Sequence, residues 1–322
     1  MKWLLVLILF SPSLLWAAES KASADQQSVN AQSDTSDDST PEEPTVPEPI
    51  SERAKKAHGL MQQRVQQEQA TANNPFVLTP YKPNYFLPFN YNPHPVSRAF
   101  LGDKNSTDDL KDVEFKFQFS FKVPVLYDVV GKNSSLWVAY TQLSYWQAYN
   151  SSISAPFRDT NYEPEMFLMT EPKKGLFGIK PTYVSYGIVH QSNGQSTALS
   201  RSWNRIYVNF LFQTENTVYS IKPWYRIPEN AADDDNPDIE KYLGYGELTM
   251  VHTVDDYTFD MTLRNNLRTS SNKGSVQLGF TFPLWGKSRG YIQYFNGYGD
   301  SLLDYNHSSQ TLGVGIMLTS WL

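Results

Sequence analysis

Residues 113–121 read VEFKFQFSF, and this alternation constrains the fold more than any other feature of the chain. Val113, Phe115, Phe117, Phe119 and Phe121 share one side of an extended segment, with Glu114, Lys116, Gln118 and Ser120 on the other. Period two belongs to a strand, because successive side chains leave opposite faces. In a soluble sandwich the apolar face would be core. The N-terminus points it elsewhere: MKWLLVLILFSPSLLWAAES has one cation, Lys2, then an apolar run closing on small residues near Ala17 and Ala18. That is the pattern of a secretory signal over residues 1–18, and the run is shorter than the ~20 residues of a membrane-spanning helix. No later stretch is apolar enough to be such a helix. Lipid tolerates no unpaired backbone groups, so an exported membrane chain without helical spans must close its strands into a barrel.

The composition suits that reading. Aromatic residues make up 14% of the chain (20 Tyr, 18 Phe, 8 Trp), yet mean hydropathy is polar at −0.47. One face toward lipid, one toward a polar lumen, and aromatic girdles at both interfaces produce this combination. Zero cysteines exclude a disulfide framework, so the sheet itself must supply stability. The net charge of −6 is not a property of the barrel. Nine acids and one base lie between Glu19 and Glu52, leaving 25 bases against 24 acids beyond residue 52. A nearly neutral barrel gives no sign of a nucleic-acid partner. Residues 19–72 therefore read as a disordered acidic segment, with a short polar helix possible over 51–72, and residues 73–322 as the barrel.

Strand patterns fall near 83–91, 113–124, 136–147, 163–170, 179–192, 203–212, 217–227, 242–252, 257–266, 275–283, 289–297 and 309–320. The expected fold is all-β, a twelve-stranded antiparallel transmembrane barrel, and twelve is an even number as bacterial single-chain barrels require. With the C-terminus on the periplasmic side, loops 148–162, 193–202, 228–241, 267–274 and 298–308 face outward. The links at 213–216, 253–256 and 284–288 are tight periplasmic turns.

Residues 183–212 carry the chemistry. Val184, Tyr186, Ile188, His190 and Ser192 share one strand face; Asn204, Ile206, Val208, Phe210 and Phe212 share one on the return strand. Both faces are apolar and belong to lipid, so a His, a Ser and an Asn cluster on the bilayer side near an outer loop. A serine hydroxyl needs a base within reach, and the base needs a third group to fix its tautomer. Side chains at i and i+2 emerge together from a strand, so His190 can serve Ser192 while Asn204 orients the imidazole. The spacing alone is weak, since His-x-Ser occurs often and polar residues are ordinary at a barrel's interface.

The block HQSNGQSTALSRSWNR, with FRDTNYEPE upstream and KPWY, DDNPDI, KYLGY and GYGDSLLDYN downstream, resembles the outer-membrane phospholipase A family in order across about residues 74–322. The resemblance implies a calcium-dependent homodimer in the bacterial outer membrane. It would cleave acyl esters of phospholipids and lysophospholipids at the extracellular rim. It implies His190 as base, Ser192 as nucleophile and Asn204 as orienting group, with Asn193 and Gly194 in the stretch whose backbone N–H helps form the oxyanion hole. It assigns Ca2+ to the Gln195 carbonyl and the Ser200 hydroxyl, with Ser154 contributed across the dimer. Gln142 matches the family's interface glutamine, and Phe119 and Phe121 would pack over the same surface. Two positions depart from well-known members, Gln195 in place of Arg and Thr197 in place of Asp. A carbonyl survives the first change; the second removes an auxiliary carboxylate. The alternative is a barrel of this fold without catalysis, acting as a pore or scaffold.

Other patterns carry less. GKSRG at 286–290 matches a nucleophile elbow, but that motif needs a strand-to-helix turn and this one lies in a strand link. Asp233, Asp234, Asp235, Asn236 and Asp238 lack the glycine and glutamate of a calcium loop and read as a solvated loop. His58, His94, His252 and His307 have no ligand partner at recognisable spacing.

Overall fold

The computed structural model describes residues 59–71, 74, 77–96, 110–175, 178–196 and 199–321. The signal, the acidic segment up to residue 58, and Thr197 lie outside the described residues. Twelve long strands run β2 (Asn84–Tyr91), β3 (Val113–Tyr127), β4 (Ser134–Trp146), β5 (Phe157–Thr170), β6 (Tyr183–Ser192), β7 (Ser202–Gln213), β8 (Thr217–Ile227), β9 (Gly246–Val254), β10 (Tyr257–Asn265), β11 (Gly274–Pro283), β12 (Arg289–Tyr298) and β13 (Ser308–Thr319). Each pairs antiparallel with its chain neighbours, and β13 closes on β2. A two-residue strand β1 (Thr79–Pro80) adds against β3. The chain is thus a closed twelve-stranded antiparallel barrel, as the alternation and the strand count require.

Burial follows the alternation with its usual sense inverted. The polar members of the VEFKFQFSF repeat lie inside, with Glu114 and Lys116 at 1% exposure and Ser120 at 2%, while Phe119 on the outer face is 39% exposed. Charge can be buried this deeply only when paired. Arg158 forks onto Glu114 through Nε (2.9 Å) and Nη2 (3.0 Å) and also reaches Asp304. Lys116 pairs with Asp300 at 2.9 Å. Lys82 meets Glu163 and Glu165, and Arg264 meets Glu247. Aromatics fill much of the rest, including Trp137, Trp203, Tyr207 and Trp224.

The strand bounds differ most at β5, which begins at Phe157 rather than 163. Residues 158–161 read as loop, but Arg158, Asp159 and Asn161 are partners inside the lumen, with Arg158 and Asp159 both at 1% exposure. A register shift opposite Tyr145 and Trp146 accommodates both. β9 starts at Gly246, later than 242, because Glu240–Leu243 forms a helical turn. GKSRG is a turn, with Leu284 N–H donating to Ser288 and Ser288 N–H to Trp285.

The expected polar helix spans Leu60–Thr71 and is labelled α1. It has no full apolar stripe, but Val65 is buried in the barrel's core cluster with Met61 packed against it, and polar contacts at the turn end of the barrel add to this. Arg64 Nη2 donates to the carbonyls of Pro80 (2.6 Å) and Tyr81 (3.1 Å), and Glu68 pairs with Lys122 at 2.8 Å. Burial works to raise the Glu68 carboxyl, but the Lys122 and Arg64 charges outweigh it and hold the group below the usual carboxylate range.

Candidate active site

Strands β6 and β7 pair with His190 opposite Asn204 and Ser192 opposite Ser202. On this face Tyr186, Ile188 and Ile206 are 50%, 56% and 45% exposed, which identifies it as the outer, apolar side. His190, Ser192 and Asn204 are each half-buried at the end of the hairpin. The His190 Nδ1 atom lies 2.9 Å from Asn204 Oδ1. Because an amide oxygen only accepts, that contact requires Nδ1 to carry the proton, which in the neutral ring leaves Nε2 with its lone pair. No hydrogen bond joins Ser192 Oγ to the His190 ring among the described residues. Such bonds are often long before substrate binds.

Two backbone features shape this corner. The β5–β6 ladder pairs Tyr162 with Ser192 and Glu165 with Val189 and skips the two positions between, where Glu163 lies opposite Gln191 and Pro164 opposite His190. Proline has no N–H to give, so the ladder opens beside the imidazole. Beyond Ser192 the chain turns at Gly194, whose φ of +64° places it in the left-handed region. A Cβ there would sit 3.0 Å from the Tyr162 ring.

The expected oxyanion stretch divides in two. Asn193 is 2% exposed and clamps the loop: its N–H donates to Arg201 O (3.0 Å), Nδ2 to Leu199 O (2.9 Å), and Oδ1 accepts from Arg201 N–H. Its backbone donor is therefore occupied within the protein. The Gly194 N–H has no hydrogen-bond partner among the described residues and remains the free donor of the pair.

Among the expected calcium ligands, Gln195 is exposed and Ser200 half-buried in the same loop. Ser200 Oγ donates to Asp235 Oδ2 at 2.5 Å. Ser154 is exposed in loop 147–156, in the left-handed conformation with φ +62°. Among the described residues no cluster of three His, Cys, Asp or Glu forms a metal site by itself. The Ser200 hydroxyl and the Asp235 carboxylate it touches are oxygen donors of the kind calcium takes. Gln142 is half-buried on the outer face, accepting from Tyr140 OH (3.3 Å) and donating to Ser144 Oγ (3.2 Å). Phe119 stands opposite Gln142 on β3, and the Phe121 ring packs 5.7 Å from that of Tyr140.

The loop read as solvated is so only in part: Asp233 and Asp235 are exposed, while its other named residues brace the neighbouring loops. Asp234 pairs with Arg226 at 2.6 Å, Asn236 is fully buried and accepts from Ser202 N–H, and Asp238 accepts from Tyr305 OH at 2.6 Å. Burial together with that carboxylate holds the Tyr305 phenol above its ordinary value. Acidic density suggested solvent; cross-loop pairing, which the composition of one loop does not reveal, decided otherwise. Two neighbours of the site were not assigned to it by the sequence reading, which set Asp235 aside as part of a solvated loop and did not name Glu229. Asp235 is one, and Glu229 is the other, accepting from Asn204 Nδ2 at 2.9 Å. Parity offered a signal for the second, since Glu229 lies two residues past Ile227, the β8 partner of Asn204.

Comparison with known proteins agrees with this architecture. A sequence profile described as Phospholipase A1 matches residues 61–318. The chain is 39% identical over 246 residues to Phospholipase A1 of Klebsiella pneumoniae, covering 76% of this chain and 84% of that protein. It superposes on outer membrane phospholipase A from Escherichia coli with a TM-score of 0.71 at 36% identity, covering 78% of this chain and 95% of that one. The calcium-bound dimer of the Salmonella typhi outer membrane phospholipase matches equally, at TM-score 0.71 and 36% identity, over 77% and 95%. The twelve-stranded barrel, the HQSNG hairpin and these similarities lead to one conclusion: the chain belongs to the phospholipase A1 family.

Proposed function

We propose that this protein is a calcium-dependent phospholipase A of the outer membrane, cleaving acyl esters of phospholipids and lysophospholipids through Ser192. The observation that carries the reading is the His190–Asn204 hydrogen bond on the lipid-facing side of the barrel, one strand repeat from Ser192. It fixes the tautomer whose Nε2 can take a proton. Ser192 Oγ attacks the ester carbonyl carbon as its proton passes to His190 Nε2. The oxyanion so formed accepts from Gly194 N–H. Collapse breaks the C–O bond, and the leaving alcohol takes the proton back from His190. Water then repeats the sequence on the acyl-Ser192 ester and releases fatty acid. Because the site faces the bilayer at the loop end, assigned here to the extracellular rim, only an amphiphile already in the membrane reaches it.

Calcium would be held by the Gln195 carbonyl and the Ser200 hydroxyl, with Asp235 beside them and Ser154 of the partner subunit completing the set. When bound, the ion supplies positive charge next to the developing oxyanion. Splitting the ligands between subunits leaves a monomer incomplete, which restrains an esterase embedded in its own substrate. The dimer surface is assigned to Gln142, Phe119 and Phe121. A pore is disfavoured by the lumen, where paired charges and aromatics leave adjoining cavities of about 130 and 100 Å³, the first lined by residues such as Lys82, Glu163 and Arg264 and the second by Lys122 and Lys222. The deciding experiment is fatty-acid release from phospholipid micelles by wild type and Ser192→Ala, with calcium and with chelator. Wild-type activity should vanish in Ser192→Ala and in chelator. Full activity in the variant, or none in folded wild type, rejects the assignment.

A further inference from the structure

The His190–Asn204 pair does not end at Asn204. Its amide is used on both sides: Oδ1 faces His190 Nδ1 at 2.9 Å, and Nδ2 donates to Glu229 Oε1 at 2.9 Å. We infer that Glu229 is a positioning residue for the esterase reaction, holding the Asn204 amide in the one orientation that keeps His190 a base.

The argument rests on donor and acceptor bookkeeping. The two ends of a carboxamide are nearly equal in shape, so only its partners decide which way it faces. An amide turned over would present Nδ2 to His190 Nδ1. That nitrogen would then have to accept, the ring proton would move to Nε2, and the lone pair facing Ser192 would be lost. A carboxylate only accepts, so Glu229 can pair with Nδ2 but not with Oδ1. Its presence makes the productive orientation the satisfied one and the reverse orientation doubly mismatched. It also sets a negative charge behind a neutral amide. A serine–histidine site with asparagine in third place lacks the carboxylate that stabilises the imidazolium as it forms; here one stands a single residue further out.

The backbone explains how Glu229 gets there. Ile227 ends β8 in register with Asn204. Pro228 follows, and a proline holds the residue before it extended and cannot continue the ladder. Two extended residues on, the side chain returns to the same side of the strand, over Asn204. Glu229 is half-buried, so the contact is partly shielded from water.

The inference rests on the reading of Ser192, His190 and Asn204 above, so the test carries Ser192→Ala as its reference. In mixed micelles with calcium, kcat and KM would be measured for wild type, Glu229→Ala, Glu229→Gln, Asn204→Ala and the double variant Asn204→Ala/Glu229→Ala. Glu229→Ala should lower kcat on the order of tenfold, the scale of one charge-assisted hydrogen bond, with KM nearly unchanged. Glu229→Gln, which can still accept but carries no charge, should recover part of the loss. With Asn204 already removed, Glu229→Ala should cost nothing further. A second readout needs no turnover: 15N NMR of the histidines, with His190 assigned by its absence in His190→Asn. Wild type should show the Nδ1-protonated tautomer, and Glu229→Ala a mixture of both. Unchanged kcat with an unchanged tautomer overturns the inference. So does an equal loss in the Asn204→Ala background, which would place the role of Glu229 in loop structure. Activity surviving in Ser192→Ala would instead reject the underlying catalytic reading.

Discussion

Arg158 offers the sharpest test of how this barrel is held together. Its side chain is completely buried and forms two hydrogen bonds to Glu114, at 2.9 and 3.0 Å, and a third to Asp304. Both acids are almost fully buried as well, at 1% and 2% exposure. In Arg158→Ala the two carboxylates would remain without their cation in a site that water reaches poorly. Removing one partner of a buried pair costs about 3–5 kcal/mol, mostly the penalty of the stranded charge. Three charge-assisted bonds are lost here and two acids stranded, so the upper end of that range applies. Arg158→Lys keeps the charge but cannot fork onto both Glu114 oxygens, and should cost about 1–3 kcal/mol. The triple change Arg158→Met/Glu114→Gln/Asp304→Asn removes all charge and should recover most of the loss, since neutral replacements of buried pairs are often tolerated. Urea unfolding in detergent micelles, followed by tryptophan fluorescence, gives the free energies. A loss below about 1 kcal/mol for Arg158→Ala would show that water enters the lumen and solvates the acids. A triple variant no better than Arg158→Ala would show that geometry, not stranded charge, sets the cost.

Other outcomes can be checked independently. Asp235→Asn weakens the carboxylate beside Ser200, so half-maximal esterase activity should need a higher calcium concentration; an unchanged calcium titration removes Asp235 from the ion's surroundings. Gln142→Leu should fold normally, since it loses only side-chain bonds to Tyr140 and Ser144, and should weaken self-association by about 0.6–2 kcal/mol in micelle sedimentation. Glu68 is held below its ordinary pKa, so its contribution to docking α1 is complete above about pH 4.3 and falls away as pH drops through the lower folded value. Protease protection of residues 60–71 should therefore persist from pH 7 to 5, decline in stronger acid, and be weakened at every pH in Glu68→Gln.

The site was legible where its chemistry is local. His190 and Ser192 share a strand face by parity, and Asn204 is the register partner of His190 across one short hairpin, so pattern brought the three into one neighbourhood while the role proposed for each came from the resemblance. The proposed calcium ligands came only through resemblance, because carbonyl and hydroxyl ligands leave no compositional mark. Asn193 and Gly194 stand side by side in the motif, yet one N–H is spent on Arg201 and the other is not, a distinction of loop geometry. Residues 158–161 and 233–238 misled for a shared reason. Polar composition implies solvent unless partners are known, and Glu114, Asp304, Ser202 and Tyr305 come from distant parts of the chain.

By itself the sequence determined that this chain is a barrel, how many strands close it, and which face of each strand meets lipid. Those follow from period-two alternation and from the cost of unpaired backbone in a bilayer, both of which act residue by residue. Only the tertiary structure decided which buried charges pair across the lumen, that α1 docks through Arg64 and Glu68, and that a glutamate stands behind Asn204. These depend on where distant strands and loops meet once the sheet has closed, and the pattern of any one strand carries no record of its partner across the barrel.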